Sequence, residues 1–229
     1  MPKIVIFDVD GVLLHLTPKE EDGFFEPFRA LYGLTDLSRD WNSYRIRNDV
    51  HIVEEIFETH LKRKITPAEF EGWRTHYLAV IADWLERQVF TVEAVPGALD
   101  LLRDLQASGI VTGIATANIL DAARLRLERA GLWVHIAHAR GAEGGGAKKD
   151  ILARLIASLG AKSRDVIYIG DNLNDLAAGR ALAGHFIGFS TSSDQRDLLK
   201  RHGAELTAGD HRETRTILQA LLLSEELTA

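Results

Sequence analysis

The chain of 229 residues contains no cysteine. Disulfides, thiolate metal ligands and a cysteine nucleophile are therefore excluded, and the redox compartment is left open. Also missing is a long apolar run. After Met1-Pro2-Lys3 the first hydrophobic stretch ends at Asp8, too short for a signal segment or a membrane span, so cytoplasmic residence is the expectation. There is no excess of basic charge either: the formal net charge is -6 and the pI about 5.8. That balance argues against a nucleic-acid surface, while small anionic ligands stay admissible because a local field can oppose the net charge. Internal repeats and low-complexity tracts are absent.

What is present is ordinary globular material. Hydrophobic residues make up 46% and charged residues 26%, enough for a packed core. The length allows one domain with an insertion or two modest domains, and the pattern along the chain favours the first. Ile4 to Phe7 is a continuous, β-branched apolar run closed by Asp and Gly, the signature of a strand buried on both faces. From about Thr17 to Arg87 the aromatics, acids and bases recur at helical spacing without β-branched runs, which predicts a helical insertion. Within it Thr66-Pro67-Ala68-Glu69 reads as a capping box, starting a helix that runs toward Trp84-Leu85. Beyond Pro96-Gly97, strands and helices alternate. Strands are predicted at 110–115, 166–169 and 185–189. Helices are predicted after Gly97 and over 121–130, 150–159, 173–183, 196–201 and 212–223. A short apolar stretch spans 133–137, and a glycine-rich segment, 141–146, reads as a mobile loop ahead of Lys148. The alternation predicts an α/β fold, a doubly wound parallel sheet with helices on both faces. The expected division is a Rossmann-like core from 1–14 and 92–229 with an all-helical cap from 15–91.

In an open parallel sheet, ligands sit beyond the carboxyl ends of the strands. Polar residues directly after apolar runs are therefore the first candidates for function. Three such ends occur: Asp8-Val9-Asp10-Gly11, Thr116-Ala117-Asn118, and Gly170-Asp171-Asn172-Leu173-Asn174-Asp175, with Lys148 ahead of the last strand. Each alone is weak, because acids and threonines after strands commonly serve as turn or cap residues. Their joint occurrence in order carries the weight.

Together these residues resemble the haloacid dehalogenase superfamily, whose signature is DxDG after the first strand, Ser or Thr after the second, a Lys, and GDxxxD after a later strand. The resemblance implies a phosphatase with a helical cap, similar to phosphoglycolate phosphatases and β-phosphoglucomutases. Lys148 is preferred over Lys149 because its spacing to Gly170-Asp171 matches related phosphatases, although the frequent Lys-Pro pair is missing. The resemblance also implies that Asp175 holds metal-bound waters or Lys148.

The chemistry supports the same reading. Phosphate monoesters hydrolyse extremely slowly, so an enzyme must supply a nucleophile, charge neutralisation and a proton for the leaving group. Asp8 is the candidate nucleophile, and Asp10 the acid that protonates the leaving oxygen and then activates water, a role that neighbouring carboxylates would promote. Carboxylates converging on a phosphate call for a hard cation, and Mg2+ fits Asp8, the Asp10 carbonyl and Asp171. Thr116, the Ala117 N–H and Lys148 would bind the phosphoryl oxygens, with Asn118 orienting the substrate or Asp8.

In the insertion, Trp41, Tyr44, Arg45, Arg47, Asn48 and Asp49 form a polar and aromatic cluster. Arg45 and Arg47 are candidate substrate residues there, against the alternative of a solvated helix face. His51, His60, His76, His135 and His138 show no metal spacing on a common face and read as structural or exposed. The expected partner is a small phosphorylated metabolite, with neither nucleic acid nor membrane, and the protein a monomer or dimer. A phosphomutase or a receiver-type signalling module would use similar residues. Dehalogenases and phosphonatases rank lower because they lack an acid at the position of Asp10.

Overall fold

The computed structural model describes residues 4–15 and 17–226. The elements in order are β1 (Ile4–Phe7), α1 (Pro18–Tyr32), α2 (Asp49–His60), α3 (Pro67–Glu86), α4 (Ala98–Ala107), β2 (Val111–Ala115), α5 (Leu120–Arg129), β3 (His138–Arg140), α6 (Lys148–Ser158), β4 (Val166–Gly170), α7 (Leu173–Leu182), β5 (His185–Phe189), α8 (Ser193–Arg201), β6 (Leu206–Ala208) and α9 (His211–Glu226). The six strands form one sheet in the order β3-β2-β1-β4-β5-β6, and every pairing is parallel. The expected doubly wound α/β architecture is the observed one.

The central strand explains itself. Val5, Ile6 and Phe7 are fully buried, because a parallel sheet with helices on both faces leaves its middle strand no wet side. Val5 and Phe7 point to the face covered by α4, α5 and α9, where Leu101, Leu102, Leu127 and Leu218 meet them. Ile4 and Ile6 point to the other, against Ile151, Leu155 and Leu176 of α6 and α7. Burying each such side chain contributes roughly 1.5–3 kcal/mol.

Helices α1 to α3 enclose a third apolar cluster built on Phe24, Phe28, Phe57, Trp73 and Ile81, which also takes in Ile119 and Ala122 at the start of α5. Two of these helices begin alike. Thr66 and Glu69 close the expected capping box at α3, and Thr17-Pro18-Lys19-Glu20 closes a second at α1. Among the described residues no helix is long and apolar enough to cross a membrane.

Several boundaries differ from expectation for local reasons. The apolar stretch 133–137 makes a single 3-10 turn at Trp133–His135, and the edge strand follows it as His138–Arg140. Edge strands β3 and β6, three residues each, are too short to show a period. Helix α8 begins three residues early because Ser192 caps it. Helix α6 begins at Lys148, since the Asp150 carboxylate reaches back to the Ala147 N–H at 2.8 Å. Lys148 is thus on the first turn of a helix and not in the preceding loop.

That loop is also more restrained than its glycine content suggests. Gly144, Gly145 and Gly146 all have positive φ, a run of left-handed residues that other side chains resist. The segment is fastened by Ala142 N–H to Asn118 O, by Arg154 to Glu143 O and Gly145 O, and by Asn48 Nδ2 to Gly146 O.

Candidate active site

Strand order reverses between β1 and β4, the position at which an open α/β sheet leaves a crevice beyond its strand ends. Register places Phe7 opposite Ile169, and Asp8 N–H extends the ladder to Ile169 O at 2.8 Å. Asp8 and Asp171 therefore emerge on the two sides of the crevice. Asp8, Asp171 and Asp175 offer oxygen atoms that all lie within 4.8 Å of one another.

Lys148 answers part of this negative charge. Its Nζ donates to Asp8 Oδ1 at 2.6 Å and to Ala115 O at 3.1 Å, and it stands 3.2 Å from Asp175 Oδ1. Lys149, one residue on, is exposed. Asp175 is fully buried, where Tyr168 donates its hydroxyl to Oδ1 at 2.6 Å and Asn172 N–H meets Oδ2 at 3.3 Å. One ammonium does not offset three carboxylates. Burial, followed by the Asp175 charge, pushes the Asp8 carboxyl well above its ordinary range. The same two causes push Asp171 up to about 7.

Asp10 has different company from the carboxylates expected around it. Arg126, from α5, donates Nη1 to Asp10 Oδ1 at 2.6 Å and Nη2 to Asn118 Oδ1 at 3.0 Å. Asn118 Nδ2 donates to Asp10 Oδ2 at 2.7 Å. Thr116 is fully buried, and its Oγ1 accepts from Asn118 Nδ2 at 2.9 Å and from Asn118 N–H at 3.2 Å. Its hydroxyl thus holds Asn118, while Ala117 and Asn118 themselves line the cavity. In this arrangement the Thr116 side chain is turned to Asn118 and does not itself line the cavity.

The cavity above these groups has a volume of about 400 Å³ and is lined on its far side by the helices inserted after β1. The start of α2 is stitched to the sheet side. Asp49 N–H donates to Ala117 O at 2.9 Å, and Asp49 Oδ2 accepts from Ile119 N–H at 2.7 Å. Arg74 of α3 pairs with Asp121 of α5. Arg47 lines the cavity from an exposed position. Arg45 does not line it: its guanidinium pairs at the surface with Glu58 at 2.6 Å and Glu55 at 3.3 Å, so the structure does not bring it to the other site residues.

Burial pushes the Asp49 carboxyl up to about 7, against the pull of the Ile119 N–H and of Arg126. The folded protein thus keeps a proton there at pH values where an unfolded aspartate has lost it. Stability from this group is full below the ordinary 3.8 and is lost as pH rises to about 7, because the folded state binds more protons across that window. Asp49→Asn is expected to flatten the fall of the urea midpoint with rising pH in metal-free protein; unchanged slopes would contradict this.

Arg126, Glu20 and His211 are neighbours of the functional site that no sequence motif marks as such. Arg126 and Glu20 are 2% and 3% exposed, and the Arg126 Nη1 to Glu20 Oε1 distance is 3.9 Å. His211 Nε2–H donates to Val12 O at 2.8 Å, bracing the turn that carries Asp10.

A family model described as haloacid dehalogenase-like hydrolase matches residues 2–183. A phosphoglycolate phosphatase of Rhodospirillum rubrum is 27% identical over 189 residues, covering 79% of this chain and 76% of that protein. Two solved structures share the fold. CbbY from Rhodobacter sphaeroides, in complex with phosphate, has a TM-score of 0.67 at 20% identity, covering 92% of this chain and 95% of that one. A hydrolase from Pseudomonas syringae has a TM-score of 0.69 at 19% identity, covering 95% and 98%.

Proposed function

The chain belongs to the haloacid dehalogenase-like hydrolase family, and from that premise we propose that it is a magnesium-dependent phosphatase acting on a small phosphate monoester through an aspartyl-phosphate on Asp8. The observation that carries this reading is the 2.6 Å contact of Lys148 with Asp8, made where Asp171 and Asp175 converge on the same point. Residues 15–91 serve as the cap, and 1–14 with 92–229 as the core.

An Asp8 oxygen attacks phosphorus, the bond from phosphorus to the ester oxygen breaks, and its electron pair leaves with that oxygen, which takes a proton from Asp10. Water then attacks the phosphoryl group while Asp10 takes its proton, and phosphate and free Asp8 are released. Arg126 and Asn118 fix the direction in which Asp10 faces. Lys148, Ala117 and Asn118 bind the phosphoryl oxygens, with Thr116 holding Asn118 in place. An all-oxygen donor set whose carboxylates are incompletely neutralised suits Mg2+, and Asp8, Asp171 and the Asp10 carbonyl would hold it. When bound, the ion offsets the repulsion between these carboxylates and the phosphate. Asp175 keeps Lys148 in place. The acid at position 10 favours an ester over a halide or phosphonate, and the family match leaves the receiver-type rival without support.

Phosphate release from a panel of sugar phosphates, phosphoglycolate, nucleotides and pyrophosphate, with and without Mg2+, tests the reading. Metal-dependent release from at least one ester is expected; none from any would reject it. Transfer to a second hydroxyl of the substrate instead of to water would indicate a mutase. Gly11 supplies a further check. Its φ is +78° and a Cβ there would fall on the Asp171 carboxylate. Gly11→Ala is expected to cost about 1–2 kcal/mol in stability and to raise the Mg2+ concentration needed for half-maximal activity. An unchanged metal requirement would remove Asp171 from the ion's ligands.

A further inference from the structure

Resting on the phosphatase reading, we infer that the cap side of the cavity takes a leaving group that presents hydroxyl or ammonium donors and carries no carboxylate. Glu20, Glu21 and Asp49 all line this side. Glu20 is 3% exposed, and its Oε1 has no hydrogen-bond partner, a costly state for a buried acceptor. The guanidinium 3.9 Å from it already donates to Asp10. Glu21 Oε1 accepts from Trp41 Nε1 at 2.7 Å, and Asp49 Oδ2 is taken by Ile119.

The buried cations of the cavity are committed elsewhere, and its other basic side chains, Arg47 and His15, are exposed and half-buried respectively. Lys148 serves Asp8 and Asp175, Arg126 serves Asp10 and Asn118, and Arg47 is exposed and donates to Asn42 Oδ1 at 3.1 Å. A carboxylate on the leaving group would face the Glu20 and Glu21 carboxylates with no buried cation left to meet it, and such like-charge contact rejects a ligand. The remaining wall is aromatic. Phe24 lies 5.4 Å from Trp41 and 5.7 Å from Tyr77 between ring centroids, and these rings suit aliphatic carbon and, through their faces, an ammonium group. Donors for the acids and carbon for the rings describe an alcohol with further hydroxyls or an amino alcohol.

The test compares kcat/KM for phosphoglycolate, glycerol phosphate and phosphoethanolamine, with p-nitrophenyl phosphate as a reference that needs no cap-side contact. At least one donor-bearing ester is expected to exceed phosphoglycolate by about tenfold or more, and which one does so separates hydroxyl from ammonium recognition. Glu20→Gln and, independently, Glu21→Gln are expected to narrow that ratio several-fold. Equal or better turnover of phosphoglycolate, or a ratio unmoved in both variants, would overturn the inference and leave the phosphatase reading standing. No phosphate from any ester, the reference included, would overturn both.

Discussion

Asp8→Asn is expected to lower phosphate release by at least about four orders of magnitude, because an amide cannot form the covalent intermediate and no other group replaces a lost nucleophile. The same change is expected to leave metal-free protein as stable as before, or more stable by on the order of 1 kcal/mol. The residue is 5% exposed, and burial and the Asp175 charge hold its carboxyl well above the ordinary range, so its ionised form is a strain on the folded state at neutral pH. An asparagine oxygen can still accept from Lys148 and from the Val9 N–H, which now donates to Asp8 Oδ1 at 2.8 Å. Activity and stability should thus move in opposite directions. A variant that loses both would indicate that Asp8 holds the fold, and the loss of turnover would no longer identify a nucleophile.

Lys148→Ala is expected to damage both. The ammonium is the buried cation between Asp8 and Asp175, and removing one member of a buried ionic group leaves the others uncompensated at a cost of about 3–5 kcal/mol. Loss of a charge that opposes the phosphoryl oxygens lowers kcat by about a thousandfold besides. Lys149→Ala supplies the comparison, since that side chain is exposed and its loss is expected to stay within about 0.5 kcal/mol. Urea unfolding and steady-state rates on the two variants check this directly. Equal effects at both positions would contradict the assignment of Lys148.

The parts of this site that could be read in the sequence share one physical origin. Asp8, Thr116 and Asp171 each follow a short, mostly apolar strand-like run, and a parallel sheet converts the end of such a run into the edge of a crevice. Residues far apart in sequence thereby meet. Arg126 and Glu20 escaped because each has an ordinary local explanation. Glu20 completes a capping box with Thr17, which accounts for an acid at that position without a second role. Arg126 sits among Arg124, Glu128 and Arg129 in a helix that looks solvated. A signal was nevertheless present, since Ala122, Ala123, Arg126 and Leu127 are the buried residues of α5 and share one face at helical spacing. A charge on the apolar face of a short helix points to a buried partner, here Asp10. Arg45 shows the opposite case: a cation near a site is as easily claimed by nearby acids, and here Glu55 and Glu58 on the next helix pair with it.

The helices inserted after β1 offer a related contrast. Periodicity predicts these helices, but besides the Arg74–Asp121 pair the contacts that fasten them over the crevice come from Asn48 and Asp49 through Gly146, Ala117 and Ile119. These are backbone groups on the opposite side, and no side-chain pattern announces them.

The account's central claim is covalent chemistry at Asp8. The most direct measurement is acid quenching of the enzyme during turnover of its best ester with Mg2+, borohydride reduction of any acyl phosphate, and peptide mass spectrometry. The account predicts modification at Asp8 alone, dependent on substrate and absent from Asp8→Asn. Phosphate release with Asp8 unmodified throughout, or with the phosphoryl group on another residue, would contradict it.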